Sequence, residues 1–137
     1  MNTALNPKLG YNLDAWDGYP VARETLLLTG DIDAAAERAW LRDPMARQVD
    51  WLQAPHHGSR TSSSQALLEV TRPGDVLISR GRHNAFGHPH PHVQRRYREM
   101  GIRQHDSALL GAVRLVLGRF GEAVGQRSHR RFWREPT

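Results

Sequence analysis

The feature that most constrains the fold is an alternation of short apolar segments with helical segments, in which polar loops follow the apolar ones. Strands are predicted over 25–29, 49–54, 75–79, 102–105, 110–117 and 122–125, and helices over 34–42, 65–70 and 91–100. Such alternation is typical of a layered α/β architecture, with the last two strands forming a hairpin. Residues 1–23 are rich in turn-forming residues and are predicted to be irregular.

The helix boundaries carry their own signals. Asp33 is a suitable N-cap for the first predicted helix, and Ser63 or Ser64 can cap the second. Pro91 suits the first turn of the third helix, which places Val93, Tyr97 and Met100 on one face, and Gly101 ends it.

Three loops carry side chains that can bind metal, and each comes after a predicted strand. They contain Asp31, the doublet His56-His57, and the Gly-His-Pro-His-Pro segment at 87–91. Strand ends are where α/β proteins gather catalytic groups, because the sheet positions them and the loops expose them. The sequence has no cysteine, so any metal must bind imidazole nitrogens and carboxylate oxygens, which suits Zn²⁺ or Mn²⁺.

Taken together, these segments resemble the C-terminal half of a metallo-β-lactamase-fold hydrolase. More specifically, they resemble the hydrolase domain of the ComEC/Rec2 family of competence-related DNA-uptake channel proteins. It covers roughly residues 24–134 and rests on Leu26–Ile32, Ala54–Ser64, Asn84–Pro91 and the arginine- and aromatic-rich Ser128–Arg134. The fold it implies is α/β, a partial metallo-β-lactamase-like αββα sandwich comprising the C-terminal half, with a mixed sheet and flanking helices.

The resemblance also implies roles for individual residues. Asp31 would bridge metal ions, and His57 or His56 would supply a further ligand, with His57 preferred. His88 would assist the transition state, and Asn84 would brace the loop or contact substrate. Substrate binding would involve Ser59, Thr61, His90, Arg130, Arg131 and Arg134. Other histidines (His83, His92, His105 and His129) are interpreted as ordinary polar residues.

One departure limits this interpretation. Such hydrolases carry an early His-x-His/Asp-x-Asp-His cluster that supplies most of the metal ligands, whereas this sequence has no histidine before position 56. A catalytic zinc site needs at least three protein ligands. We therefore interpret the chain as a half domain (24–126), preceded by an irregular segment (1–23) and followed by a basic tail (127–137), with the remaining ligands supplied from elsewhere.

Positive charge is concentrated near the end of the chain. Residues 93–137 contain 10 Lys and Arg against 4 Asp and Glu, while residues 1–92 contain 9 against 10. The excess is arginine, which pairs with phosphate in a bidentate manner, so DNA is the expected partner through its backbone and without sequence preference. Aromatic residues in the tail could add stacking on bases or pack the tail onto the core.

Neither a signal peptide nor a membrane span is visible, so a soluble chain is expected. In the intact family protein the domain would be attached to the bacterial inner membrane on its outer, periplasmic side. There it would hydrolyse phosphodiester bonds of DNA during transformation, and its partners would be the missing N-terminal half and the membrane channel.

Three alternatives stay open. The first is a non-catalytic DNA-binding or interaction module derived from the same domain, and the second is a truncated product without function. The third is a small ββα metal nuclease that uses His56, His57, Asn84 and His88, although a helix and a strand separate those residues in the prediction.

Overall fold

The computed structural model describes residues 24–117 and 123–126 of the chain. Its elements, in chain order, are β1 (Leu26–Leu27), α1 (Ala34–Trp40), β2 (Trp51–Gln53), a 3₁₀ turn (Pro55–Gly58), α2 (Gln65–Thr71), β3 (Asp75–Ile78), α3 (Pro91–Glu99), β4 (Arg103–Asp106), α4 (Ser107–Leu110), β5 (Val113–Leu115) and β6 (Ala123–Gly125). The predicted α/β class is confirmed.

The first four strands form one parallel sheet in the order β1-β2-β3-β4. Each strand therefore lies beside the next one in the chain, and α1, α2 and α3 connect them as the crossovers that parallel strands require. Because parallel strands end at the same edge of their sheet, the loops that follow β1, β2 and β3 lie at one edge. These are the loops that contain the predicted site residues.

The strands β5 and β6 pair antiparallel and form a second, two-stranded sheet, which agrees with the predicted hairpin. In the described residues the parallel and antiparallel pairs thus lie in separate sheets rather than in one mixed sheet. The short helix α4 and Gly111, at a φ of 78°, separate β4 from β5. The strand predicted over 110–117 is correspondingly shorter, because the Asp106 carboxylate accepts a hydrogen bond from Ala108 N and caps that helical turn.

The core lies between the parallel sheet and the helices α2 and α3. It combines Leu52, Ala54, Val76 and Ile78 from the strands with Leu68, Val93, Tyr97 and Ile102 from the helices and the turn that follows. Val93 and Tyr97 are fully buried and four residues apart, as predicted, while Met100 packs against the cluster at its margin. Burial of a large apolar side chain stabilises a fold by about 1.5–3 kcal/mol, so this cluster is the main source of stability.

The predicted starts of the three helices are confirmed, while their ends differ by one or two residues from the prediction. The Asp33 carboxylate accepts hydrogen bonds from Ala35 N and Ala36 N, which also lowers the pKa of Asp33. Ser64 Oγ, rather than Ser63, accepts from Leu67 N. Gly101 follows α3 with a φ of 69°, a left-handed conformation that glycine adopts without steric cost.

The predictions for residues 1–23 and for the basic tail at 127–137 lie outside the described residues. Within the described ranges, none of the helices has both the length and the apolar character that crossing a bilayer requires.

Candidate functional site

The three loops at the carboxyl edge of the parallel sheet are joined to one another through their backbones. His56 N donates to Gly30 O at 2.9 Å, which links the second loop to the first. His90 N donates to Gly58 O at 2.8 Å, which links the third loop to the second. The structure therefore brings together Asp31, the histidine doublet and His88, which are distant in sequence.

Asp31 and His57 form a close pair at this edge. His57 Nε2 lies 3.4 Å from Asp31 Oδ1, and both side chains are accessible, at 48% and 72% of their surface. His57 Nδ1 lies 2.8 Å from Ser79 O, and a carbonyl oxygen only accepts hydrogen bonds, so Nδ1 carries the proton. In the neutral ring the lone pair of Nε2 then faces the Asp31 carboxylate, an arrangement that a proton or a metal cation between them stabilises.

The side chain of Gln53 positions Asp31. Its Oε1 accepts hydrogen bonds from Thr29 N at 3.1 Å and Gly30 N at 3.0 Å, and its backbone carbonyl accepts one from Thr29 Oγ1. Sequence reasoning missed Gln53. The available signal was a polar amide at the end of an otherwise apolar strand, beside a loop whose N–H groups have no strand partner.

His56 and His88 form a second, less accessible pair. Their rings meet edge to face with centroids 5.9 Å apart, and the Nδ1 atom of each is buried without a hydrogen-bond partner in the part of the chain that the structure describes. Leaving a polar atom buried and unsatisfied costs about 1–3 kcal/mol. Such a cost at two adjacent imidazoles is typical of a functional site rather than of a structural core.

Asn84 holds His88 from both sides of its backbone. Its Nδ2 donates to His88 O at 2.9 Å, and its Oδ1 accepts from His88 N at 2.8 Å, so it braces the loop in the first of the two ways considered from sequence. The start of this loop is fixed by Arg80, whose guanidinium pairs with Asp106 at 2.6 Å and whose backbone exchanges hydrogen bonds with Ser107 Oγ.

Burial lowers the pKa of His88 below its ordinary value of 6.5, and the nearby imidazoles of His56 and His57 lower it further. His88 is therefore neutral in the folded protein at neutral pH. In the unfolded chain it takes up a proton as the pH falls below about 6.5, and the folded state does so only at lower pH. The contribution of His88 to the free energy of unfolding is fully present above pH 6.5. It is lost as the pH falls from 6.5 towards the lower pKa of His88 in the folded state.

We accordingly expect the imidazole of His88 to titrate below 6.5 in an NMR pH titration. The loss of unfolding free energy between about pH 7.5 and about pH 5.5 should be smaller in His88→Gln than in the wild type. His83→Gln is the matched control, because His83 is exposed. A His88 pKa at or above 6.5 would contradict the geometry.

The predicted substrate-binding residues lie in different surroundings. Ser59 is nearly buried, and its hydroxyl lies 3.3 Å from that of the exposed Thr61. The Nδ1 of His90 accepts from His92 N and caps α3, which is the capping role considered from sequence. Arg130, Arg131 and Arg134 lie outside the described residues.

A buried network that the sequence did not reveal fixes the loop after β2. Glu37 of α1 is fully buried, and its two carboxylate oxygens accept hydrogen bonds from Ser63 N and Ser64 N. Ser63 Oγ lies 2.6 Å from Tyr97 Oη, and burial raises the pKa of Tyr97 to about 12, so that hydroxyl stays protonated. The guanidinium of Arg96 also donates to Ser63 O.

The fit of a metal ion can be tested on these distances. Zn²⁺ bonds of 2.0–2.1 Å in a tetrahedral site place neighbouring ligand atoms about 3.3 Å apart, close to the separation of the Asp31 and His57 atoms. However, no group of three or more His, Asp or Glu side chains converges on one point within residues 24–117 and 123–126. These residues thus present two metal donors and not a complete site.

Comparison with known proteins shows that this chain is similar to a segment of several competence proteins. It is 38% identical over 93 residues to Recombination protein 2 of Haemophilus influenzae, and 37% identical over 114 residues to Competence protein ComA of Neisseria gonorrhoeae. A third relative, ComE operon protein 3 of Bacillus subtilis, is 30% identical over 77 residues. No protein-family profile matches the chain.

The matches cover much of this chain but little of each relative. They include 68%, 80% and 56% of this chain, against 12%, 16% and 10% of the three relatives in the same order. The chain is thus homologous to one segment of much longer competence proteins.

Proposed function

We propose, from this relationship to competence proteins, that the chain forms part of a metal-dependent phosphodiesterase domain that acts on DNA during uptake. In this proposal it contributes the C-terminal half of a metallo-β-lactamase-like fold. Asp31 and His57 hold metal, and the rest of the ligand set comes from another part of a longer protein or from a second chain. The single observation that carries the proposal is the Asp31–His57 pair, with His57 Nδ1 bonded to Ser79 O.

The roles of His57 and His88 follow from their hydrogen bonds and their burial. The Nδ1–H···O bond to Ser79 orients the ring of His57 and keeps its Nε2 available as a ligand. A bound Zn²⁺ or Mn²⁺ would supply an activated water and polarise the phosphate. His88, neutral and held by Asn84, can accept a proton at the reacting phosphate and pass it on to the leaving group.

The loops around the site suit a phosphate substrate. The segments 51–68 and 76–98 contain no Asp or Glu, and two exposed arginines, Arg60 and Arg82, lie in their loops. The charge of Arg80 is compensated by Asp106. Exposed positive charge attracts a polyanion over a distance comparable with the Debye length, about 10 Å at 0.1 M salt.

Metal binding by the chain should depend on the Asp31–His57 pair. In equilibrium dialysis with Zn²⁺ and with Mn²⁺, Asp31→Asn and His57→Gln should each weaken binding by about tenfold or more, since loss of a ligand costs at least as much as loss of a group that orients one. His83→Gln is the control and should bind as the wild type does. Equal metal affinity in all four proteins would refute the metal assignment.

Activity is tested in a domain that contains this segment together with its complement. There, Asp31→Ala should abolish metal-dependent cleavage of DNA, and unchanged cleavage would show that the proposed ligand is not used.

A second candidate is a DNA-binding module without catalysis. It is favoured because the described residues present two metal donors and not a complete site, and because the segments 51–68 and 76–98 contain no Asp or Glu. DNA binding by such a module would survive EDTA and would fall steeply with salt concentration, whereas metal addition would produce no cleavage in any complemented form.

A further inference from the structure

Phe86 is the most exposed large hydrophobic side chain within the described residues, at 81% of its surface. It lies in the loop between β3 and α3, only two residues before His88. An apolar ring of this size gains about 1.5–3 kcal/mol when it is buried, so a molecule that covers Phe86 would gain affinity from the contact.

The ring of Phe86 stands on a rigid support. It stacks on the ring of His88, with centroids 5.8 Å apart and an angle of 19° between the planes. His88 is fixed by its two hydrogen bonds to Asn84, and Gly87 N donates to Asn84 O in the same turn. One face of Phe86 thus rests on the site histidine, while its exposure leaves the opposite face to solvent.

The loop that carries Phe86 and the loop beside it also carry exposed polar and basic residues. Gly81, Arg82 and His83 of the same loop are all exposed, and the loop contains no acidic residue. Arg60 is exposed on the neighbouring loop, close enough to His90 to lower its pKa, after burial and His92. A flat apolar ring on a loop that also carries positively charged side chains matches a molecule that has both a planar ring and a phosphate.

We propose that Phe86 is a stacking platform for an unpaired nucleobase, so that this site takes single-stranded nucleic acid or a frayed end. The inference deepens the proposed function and rests on it for the phosphate beside the base. In a duplex each base is already stacked on both faces, whereas an unpaired base has a face available for an aromatic side chain. Every base has such a face, so the contact selects strandedness and not sequence.

Binding of fluorescent oligonucleotides to the full chain, measured by anisotropy in EDTA, tests the inference without any contribution from metal. The probes are oligothymidine, an abasic oligonucleotide of the same length, and a duplex. Phe86→Ala should weaken binding of oligothymidine about tenfold, which corresponds to about 1.4 kcal/mol for one stacked base, and should leave binding of the abasic probe unchanged.

Two further variants separate stacking from general hydrophobicity. Phe86→Trp keeps an aromatic face and should retain oligothymidine binding, while Leu109→Ala removes another exposed apolar side chain, 67% accessible on α4, and should have no effect. Circular dichroism verifies that each variant folds.

The inference is overturned if Phe86→Ala binds oligothymidine as tightly as the wild type does, or if no probe binds at all. A wild type that prefers the duplex would overturn it too. Its failure and that of the hydrolase proposal are distinguishable. If the wild type shows the expected anisotropy pattern but neither binds metal nor supports cleavage, only the hydrolase proposal is refuted. If Phe86→Ala weakens binding of the oligothymidine and abasic probes equally, only the stacking proposal is refuted.

Discussion

Replacing Glu37 with alanine is expected to lower the free energy of unfolding by about 3–4 kcal/mol. The substitution leaves two buried backbone donors, Ser63 N and Ser64 N, without an acceptor, and each such loss costs about 1–3 kcal/mol. It also opens a cavity, because Glu37 is fully buried. Urea unfolding followed by tryptophan fluorescence measures the effect, since Trp51 is buried in the described structure.

The matched control is Glu69→Ala on α2. Glu69 is exposed, and its carboxylate accepts a hydrogen bond from the side chain of Gln65. The change in unfolding free energy should therefore stay within about 0.5 kcal/mol. Glu37→Gln keeps one acceptor oxygen but turns an N–H donor towards the other backbone N–H, and should lie between the two. A Glu37→Ala variant within about 1 kcal/mol of the wild type would contradict the network as described.

Replacing Gly58 with alanine is expected to destabilise the protein by about 3–4 kcal/mol and to separate the second loop from the third. A Cβ at this position would lie 2.6 Å from Pro89 Cβ, closer than real Cβ atoms approach, and 3.1 Å from Pro89 Cα, which is a tight contact. Gly58 also has a φ of 79°, which costs a non-glycine residue about 1–2 kcal/mol, and overpacking adds about 1–3 kcal/mol. The hydrogen bond from His90 N to Gly58 O should break as the loops move apart.

Gly101→Ala measures the backbone part of this effect alone, so the difference between the two variants gives the steric part. Gly101 has a similar φ of 69°, but no atom lies within 4 Å of an added Cβ, so only the conformational cost of about 1–2 kcal/mol applies. NMR signals of the His88 imidazole report the loop position in both variants. They should shift in Gly58→Ala and stay in place in Gly101→Ala, and an equal loss of stability in the two would argue against the contact with Pro89.

These two residues show how far sequence reasoning reaches. The α/β alternation, the cap Asp33, a serine cap at 63 or 64 and the buried face of α3 were all predicted, because each follows from neighbouring residues and their periodicity. The parallel order of the four strands was not, since a mixed sheet was expected. Glu37 was not singled out, since a glutamate in an alanine-rich helix has the same local pattern whether it is exposed or buried. Its partners lie 26 and 27 residues away.

Strand and loop preferences are local, so the strands could be predicted from sequence, together with the positions of Asp31, His56, His57 and His88 after them. The three-dimensional structure was needed to show that His57, not His56, meets Asp31, that Gln53 and Asn84 hold the loops, and that Phe86 is exposed beside His88. Asn84 and Phe86 meet His88 within one loop, whereas the contacts of His57 and Gln53 depend on strand register and join residues more than 20 positions apart. Such contacts form only once burial of the shared core has brought the strands side by side.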